Sequence, residues 1–86
     1  MKRERVVDYL IKSKDIIEKN YILNYLYKKG YKEEIRFTKQ EILNSNYPIS
    51  ISISGKTIGV IESATICYMM SKNNRVKSFE DVINNI

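Results

Sequence analysis

Residues 49–61 read ISISISGKTIGVI, and two folds compete for them. Ile49, Ile51 and Ile53 alternate with Ser50, Ser52 and Ser54. A period of two sends isoleucines to one face of a strand and serines to the other. Gly55-Lys56 then turns a hairpin into a second strand over 57–61. In the competing reading a helix starts at one of the serines, with Ser54 the best N-cap. Ile58, Ile61, Thr65 and Tyr68 then share one helical face. Gly59 and the β-branched residues count against that helix. The first reading gives an α+β chain with a central hairpin at 49–61. The second gives a mainly α chain.

Upstream the pattern is helical. Val6, Val7, Leu10 and Ile11 recur at helical spacing over 2–14. Ile16, Leu23, Leu26 and Tyr27 mark an apolar stripe over 14–29, closed by Lys28-Lys29-Gly30. Cations in the last turn and glycine just past it are a helix stop. Residues 31–37 form a polar link, with a short strand as an option at 34–37. Thr38-Lys39-Gln40-Glu41 is a capping box. It opens a short helix with Ile42 and Leu43 inward, ended by Asn44-Ser45-Asn46 before Tyr47-Pro48. Downstream, Lys72-Asn73-Asn74-Arg75 is a turn and 75–77 a short strand. Ser78-Phe79-Glu80-Asp81 opens a last helix.

The chain has 86 residues, 43% hydrophobic and 29% charged, which suits one globular domain over 1–86. It carries no histidine, so a Ser-His-Asp triad or a Cys-His pair is impossible, and one cysteine leaves no zinc site. Its carboxylates sit among lysines and read as a solvated face. An enzyme, a metal and a cofactor are therefore not expected. No apolar run reaches the roughly 18–20 residues that cross a bilayer. The start, Met1-Lys2-Arg3-Glu4-Arg5, leads into an amphipathic pattern rather than a signal sequence. With the lone Cys67, these features point to the cytoplasm. The net charge of +5 favours a polyanionic partner, nucleic acid first. Gly55-Lys56-Thr57 is not the end of a phosphate-binding loop, because Ser50 stands where that motif needs glycine.

With a helix at 54 onward, the order is helix, helix, short capped helix, amphipathic helix, basic turn, terminal helix. That order resembles the winged helix-turn-helix superfamily of DNA-binding proteins. The residues that carry it are Ile22-Leu23-Asn24-Tyr25-Leu26-Tyr27-Lys28-Lys29-Gly30, Phe37-Thr38-Lys39-Gln40-Glu41-Ile42-Leu43 and Ser54-Gly55-Lys56-Thr57-Ile58. Small repressors of the ArsR and MarR kind look similar, as do TubR-type centromere-binding adaptors of plasmid and phage segregation. One spacing departs from the family. About ten residues separate Leu43 from Ser54, against a usual turn of about three or four. Either the recognition helix starts nearer Ser50 or the motif is absent.

The resemblance implies a mechanism. A helix starting at Ser54 and Thr57 would lie in the major groove with Gly55, Lys56, Gly59, Val60 and Ser63 outward, and Lys56 would reach guanine edges or a phosphate. Thr38, Lys39 and Gln40 would present a helix N-terminus to the backbone. A wing over 71–77 would add Lys72, Asn73, Asn74, Arg75 and Lys77. Terminal helices often form the dimer interface in this superfamily, so the resemblance also implies a homodimer, through either the N-terminal helices or the final one.

The fold expected is thus mainly α, a winged helix-turn-helix with a short β wing. The function expected is that of a dimeric repressor or segregation adaptor on double-stranded DNA. A protein partner such as a segregation filament is a further option, and no membrane is involved. The rival, drawn from the Ile/Ser alternation, is an α+β protein-interaction module, a phage or plasmid inhibitor or antitoxin.

Overall fold

A computed structural model describes residues 7–86. Its strands are β1 (Tyr9–Lys12), β2 (Lys32–Glu33), β3 (Ile49–Ser52), β4 (Thr57–Val60) and β5 (Val76–Ser78). Its helices are α1 (Ile16–Lys28), α2 (Lys39–Asn44), α3 (Ala64–Lys72) and α4 (Phe79–Val82). All five strands join one mixed sheet in the order β2-β4-β3-β1-β5. Helix makes up 40% of the described chain and strand 21%, so the protein is α+β. The mainly α winged helix-turn-helix is not its fold.

The deciding stretch folds as the hairpin. Ile49 pairs with Val60, Ile51 with Ile58 and Ser52 with Thr57. Ile49 and Ile51 are fully buried in β3 and Ile53 is half-buried just past its end, whereas a helix would scatter the three around its axis. Ser54, Gly55 and Lys56 form the tip, not the start of a recognition helix. There the Gly55 N–H donates to the Ser52 hydroxyl at 3.4 Å, and Lys56 takes a left-handed φ of 53°.

Gly59 sits within β4, not on an outward helical face. A Cβ there would stand 2.7 Å from Glu34 Oε2 and 3.2 Å from the Phe37 ring. A glycine inside a strand pattern marks such an approach.

Three further expectations change. The helix expected over 2–14 lies outside the described residues up to residue 6, and beyond them Tyr9–Lys12 is a strand. It pairs antiparallel with β3 and parallel with β5. The short strand after α1 is Lys32–Glu33 rather than 34–37. The segment 71–77 is no wing: it is the end of α3, a turn, and an edge strand of the main sheet.

Other helix signals hold. Gly30 follows α1 with a φ of 93°, although α1 begins at Ile16, later than the expected 14, and is capped by Asp15 through the Glu18 N–H. Thr38 and Glu41 form the capping box of α2, and Ser78 caps α4.

Two crossover connections, β1-α1-β2 and β4-α3-β5, run in opposite directions along the sheet. Right-handed crossovers then put α1 and α3 on opposite faces. On the α1 face Ile11, Ile49, Ile51, Ile58 and Val60 pack with Ile22, Leu23, Leu26 and Ile42. Leu10, in register with Ser50, looks to the other face, where α3 lies against β1 and β5.

A buried lysine ties α2 to α1. Lys19 is 6% exposed, and its ammonium donates to the carbonyls of Ile42 (3.2 Å), Ser45 (2.7 Å) and Tyr47 (3.4 Å). Its positive charge therefore sits at the negative C-terminal end of α2. Burial lowers its pKa.

Candidate nucleic-acid interface

The registers put five chain segments at one end of the sheet. β1, β2, β4 and β5 all begin there, and β3 ends there. The C-terminus of α1 arrives with Lys28, Lys29 and Gly30, the hairpin brings Ser54, Gly55 and Lys56, and α3 ends with Lys72, Asn73 and Asn74 before Arg75. Lys32 opens β2 beside Thr57. Lys28, Lys29, Lys32, Lys56, Lys72 and Arg75 thus meet at one end, against the carboxylates of Asp8 and Glu33. The opposite end carries Asp15, Glu18, Glu62 and Glu80 with Lys12 and Lys14.

Local chemistry fixes this end. The Lys56 ammonium donates to the Lys29 carbonyl at 3.2 Å and lies 5.1 Å from the centre of the Tyr31 ring. Lys29 leans on Tyr25 at 5.6 Å and Lys72 on Tyr68 at 5.4 Å. Aliphatic stems and ring faces hold these side chains while their charges stay at the surface. Asn74 adopts a left-handed φ of 62°, a conformation that asparagine tolerates better than most residues. The Arg75 N–H then returns to the Met70 carbonyl at 2.8 Å, which closes α3. Arg75 also donates to the Val7 carbonyl at 3.5 Å. Ile53 N–H donates to the Asp8 carboxylate at 2.6 Å, so Asp8 braces the hairpin.

The residues expected to touch DNA divide into groups. Ser54, Gly55, Lys56 and Thr57 come together with Lys72, Asn73, Asn74 and Arg75 at the basic end. Ser63 caps α3 at the other end through the Ile66 N–H. Gly59 is enclosed by Glu34 and Phe37. Thr38, Lys39 and Gln40 lie in the first turn of α2, where Lys39 faces Asn24 and the Tyr27 ring. Lys77 lies on β5 beside Ile11. Lys56, tethered to Lys29, has a shorter reach than a groove-reading lysine on a free helix face. Lys28, Lys29 and Lys32 were missed. Their signal was a lysine run, read as a helix stop, and only the strand order shows that it faces the hairpin tip.

Two tyrosines behind this end are held in their neutral form. Burial raises the pKa of Tyr31, whose ring is 2% exposed, and Asp8 adds to the effect. Burial also raises that of Tyr27, with the hydrogen bond to Glu33 and its charge adding to it. A raised tyrosine pKa stabilises the fold fully below the unfolded value of about 10 and loses that contribution as pH climbs toward the folded value. Of the seven tyrosines, Tyr27 and Tyr31 are expected to ionise only as the chain unfolds in alkali. A tyrosinate absorbance titration run beside circular dichroism tests this. Complete ionisation with an intact native spectrum would refute it.

These features define a small α+β protein with a five-stranded mixed sheet and one basic end. No family model, curated protein or solved structure matches the chain. Among the described residues, no three of Cys, Asp and Glu gather as a metal site would require, and no helix is long and apolar enough to cross a membrane.

Proposed function

We propose that this chain is a cytoplasmic, non-enzymatic nucleic-acid-binding protein that grips double-stranded DNA with the basic end of its sheet, as a repressor or segregation adaptor does. The observation that supports this reading is the gathering of cations from α1, β2, the hairpin tip and the α3–β5 turn. These segments are distant in sequence and are lined up along one end of the sheet, from β2 at one edge to β5 at the other. Five strands side by side span about 19 Å at ~4.8 Å per step. That exceeds the major groove width of about 12 Å, so the row reaches both flanking phosphate backbones. The tip at Ser54 and Gly55 is narrow and lacks bulky side chains, as suits a two-stranded ribbon entering a groove. Phosphate contacts position such a protein, and base-edge contacts at the tip would supply any sequence preference.

Fluorescence anisotropy of labelled duplexes at several salt concentrations tests the proposal. Each lost phosphate contact lowers the slope of log affinity on log salt by about 0.9. Arg75→Ala is expected to weaken binding to every duplex and to flatten the slope by about that amount. Lys39→Ala, on α2, is expected to change neither. Absence of salt-dependent binding, or a slope indifferent to Arg75→Ala, would reject the basic end as the interface.

A second reading, a protein-interaction module of the inhibitor or antitoxin kind, draws on the hairpin and on the exposed Ile17, Tyr21, Ile66, Tyr68 and Met69. It becomes the better account if duplex DNA does not bind.

A further inference from the structure

The basic end leaves a second surface without a role. On the first turns of α1, Ile16, Ile17 and Tyr21 are 54%, 76% and 61% exposed. Ile17 and Tyr21 are four residues apart and stack on one face of the helix. Beside them a concavity of about 500 Å³ opens between α1 and α4. Tyr21, Phe79 and Ile83 give it apolar walls, and Lys12, Lys14, Glu18 and Glu80 give it a charged rim. The Phe79 ring meets Tyr21 edge-on at 5.9 Å and Tyr25 at 5.1 Å, so the wall is a packed aromatic cluster. The Glu18 carboxylate accepts from the Lys14 N–H at 2.7 Å, which holds that part of the rim in place.

We propose that two copies of the chain associate through this surface, in an isologous contact about a two-fold axis. Charge selects the occupant. In a chain of net charge +5, this rim balances two lysines with two glutamates. A nucleic acid would meet Glu18 and Glu80, and a strongly basic partner would meet Lys12 and Lys14. A second copy brings the same two lysines and two glutamates, so a two-fold contact that sets unlike charges opposite each other meets neither obstacle. An isologous contact requires a patch complementary to itself. This one also sets a protruding side chain, Ile17, beside a groove able to receive its counterpart. The inference does not depend on DNA binding.

Sedimentation velocity of the full chain without nucleic acid, from micromolar to millimolar concentration, is the test. A concentration-dependent dimer is expected. Ile17→Asp is expected to weaken it by about tenfold or more, as loss of a central interface anchor does. Because Ile17 is exposed, circular dichroism and Tm should not change. A chain carrying Lys12→Glu and Lys14→Glu has an all-acidic rim and should fail to self-associate. Mixing it with a Glu80→Lys chain should restore dimers, which a purely structural effect of either change would not do. Met69→Asp on α3 should leave the dimer intact. A monomer at every concentration, or a dimer that tolerates Ile17→Asp, overturns the proposal.

Discussion

Replacing Lys19 with methionine is expected to cost about 3 kcal/mol of stability. The substitution keeps the apolar stem and removes the ammonium. The carbonyls of Ile42, Ser45 and Tyr47 then lose their shared charged donor, the first in a buried position and the other two in part-buried ones, with only Ile42 keeping a second donor, the Ser45 N–H. Hydrogen bonds to a charged donor contribute about 1.5–3 kcal/mol each, and an orphaned buried acceptor costs about 1–3 kcal/mol. Against this stands the relief of desolvating a lysine, which keeps the net below the sum. For a domain of this size, 3 kcal/mol corresponds to a fall in Tm of roughly 15 °C. Thermal unfolding followed by circular dichroism measures it. A Tm within about 2 °C of the parent, under 1 kcal/mol on that scale, would mean that the lysine is dispensable to α2.

The sign of the pH effect separates this lysine from the two buried tyrosines. Burial lowers the Lys19 pKa, so its contribution improves as pH rises through the lowered value and is complete above the unfolded value of about 10.4. The tyrosines act in the opposite direction. Lys19→Met should therefore steepen the alkaline loss of stability as well as lower its starting point.

Gly59→Val is the second large effect. The new side chain would be driven into the Glu34 carboxylate and the Phe37 ring, both closer than an ordinary van der Waals contact at the first carbon alone. Overpacking of this kind costs about 1–3 kcal/mol. The end of the Glu34 side chain can swing aside, but the Phe37 ring packs against the core and must give as well, so the branched valine is expected toward the upper end. Gly59→Ala should cost less than valine. Equal stability of the parent and both variants in urea would show that Glu34 and Phe37 swing away freely. If Gly59 instead faced a groove of DNA, valine would impair binding without destabilising the chain. The two roles therefore give opposite patterns.

Part of this architecture was legible from local chemistry. The glycine after Lys28-Lys29, the Thr38–Glu41 box and the Ser78 cap each depend on a few neighbouring residues, and each is where the sequence places it. The Ile/Ser alternation also carried its period of two in plain view. What misled was the set of isolated apolar residues around it. Ile58, Ile61, Thr65 and Tyr68 fit a helical face by count, yet Gly59 between them was already the sign of a close approach. Tyr9–Lys12 failed for a different reason. Val7, Leu10 and Ile11 are too few to distinguish a period of 3.6 from a strand, and what makes them a strand is β3 and β5, remote in sequence.

The candidate site was half legible. The hairpin tip and the turn at 72–75 were both singled out as basic or turn-forming segments, each in a wing or recognition-helix role that the fold does not provide. That they share one end of a sheet depends on strand order, which no local pattern encodes. Lys28, Lys29 and Lys32 were invisible as site residues because a helix stop explained the lysine run at the first of them.

The parallel pairing of β1 with β5 sets Leu10 beside Val76 and has a kinetic meaning. Closing a loop of that length costs about 4 kcal/mol of chain entropy. The return comes only once β5 has docked, so the last strand acts as the closing piece of the fold. Until it arrives, one edge of β1 offers unpaired N–H and C=O groups to any other strand. A chain still emerging from synthesis, with its hairpin formed and β5 not yet made, is therefore the species most exposed to aggregation. The folding rate of this small domain should be governed by its two ends meeting rather than by its helices.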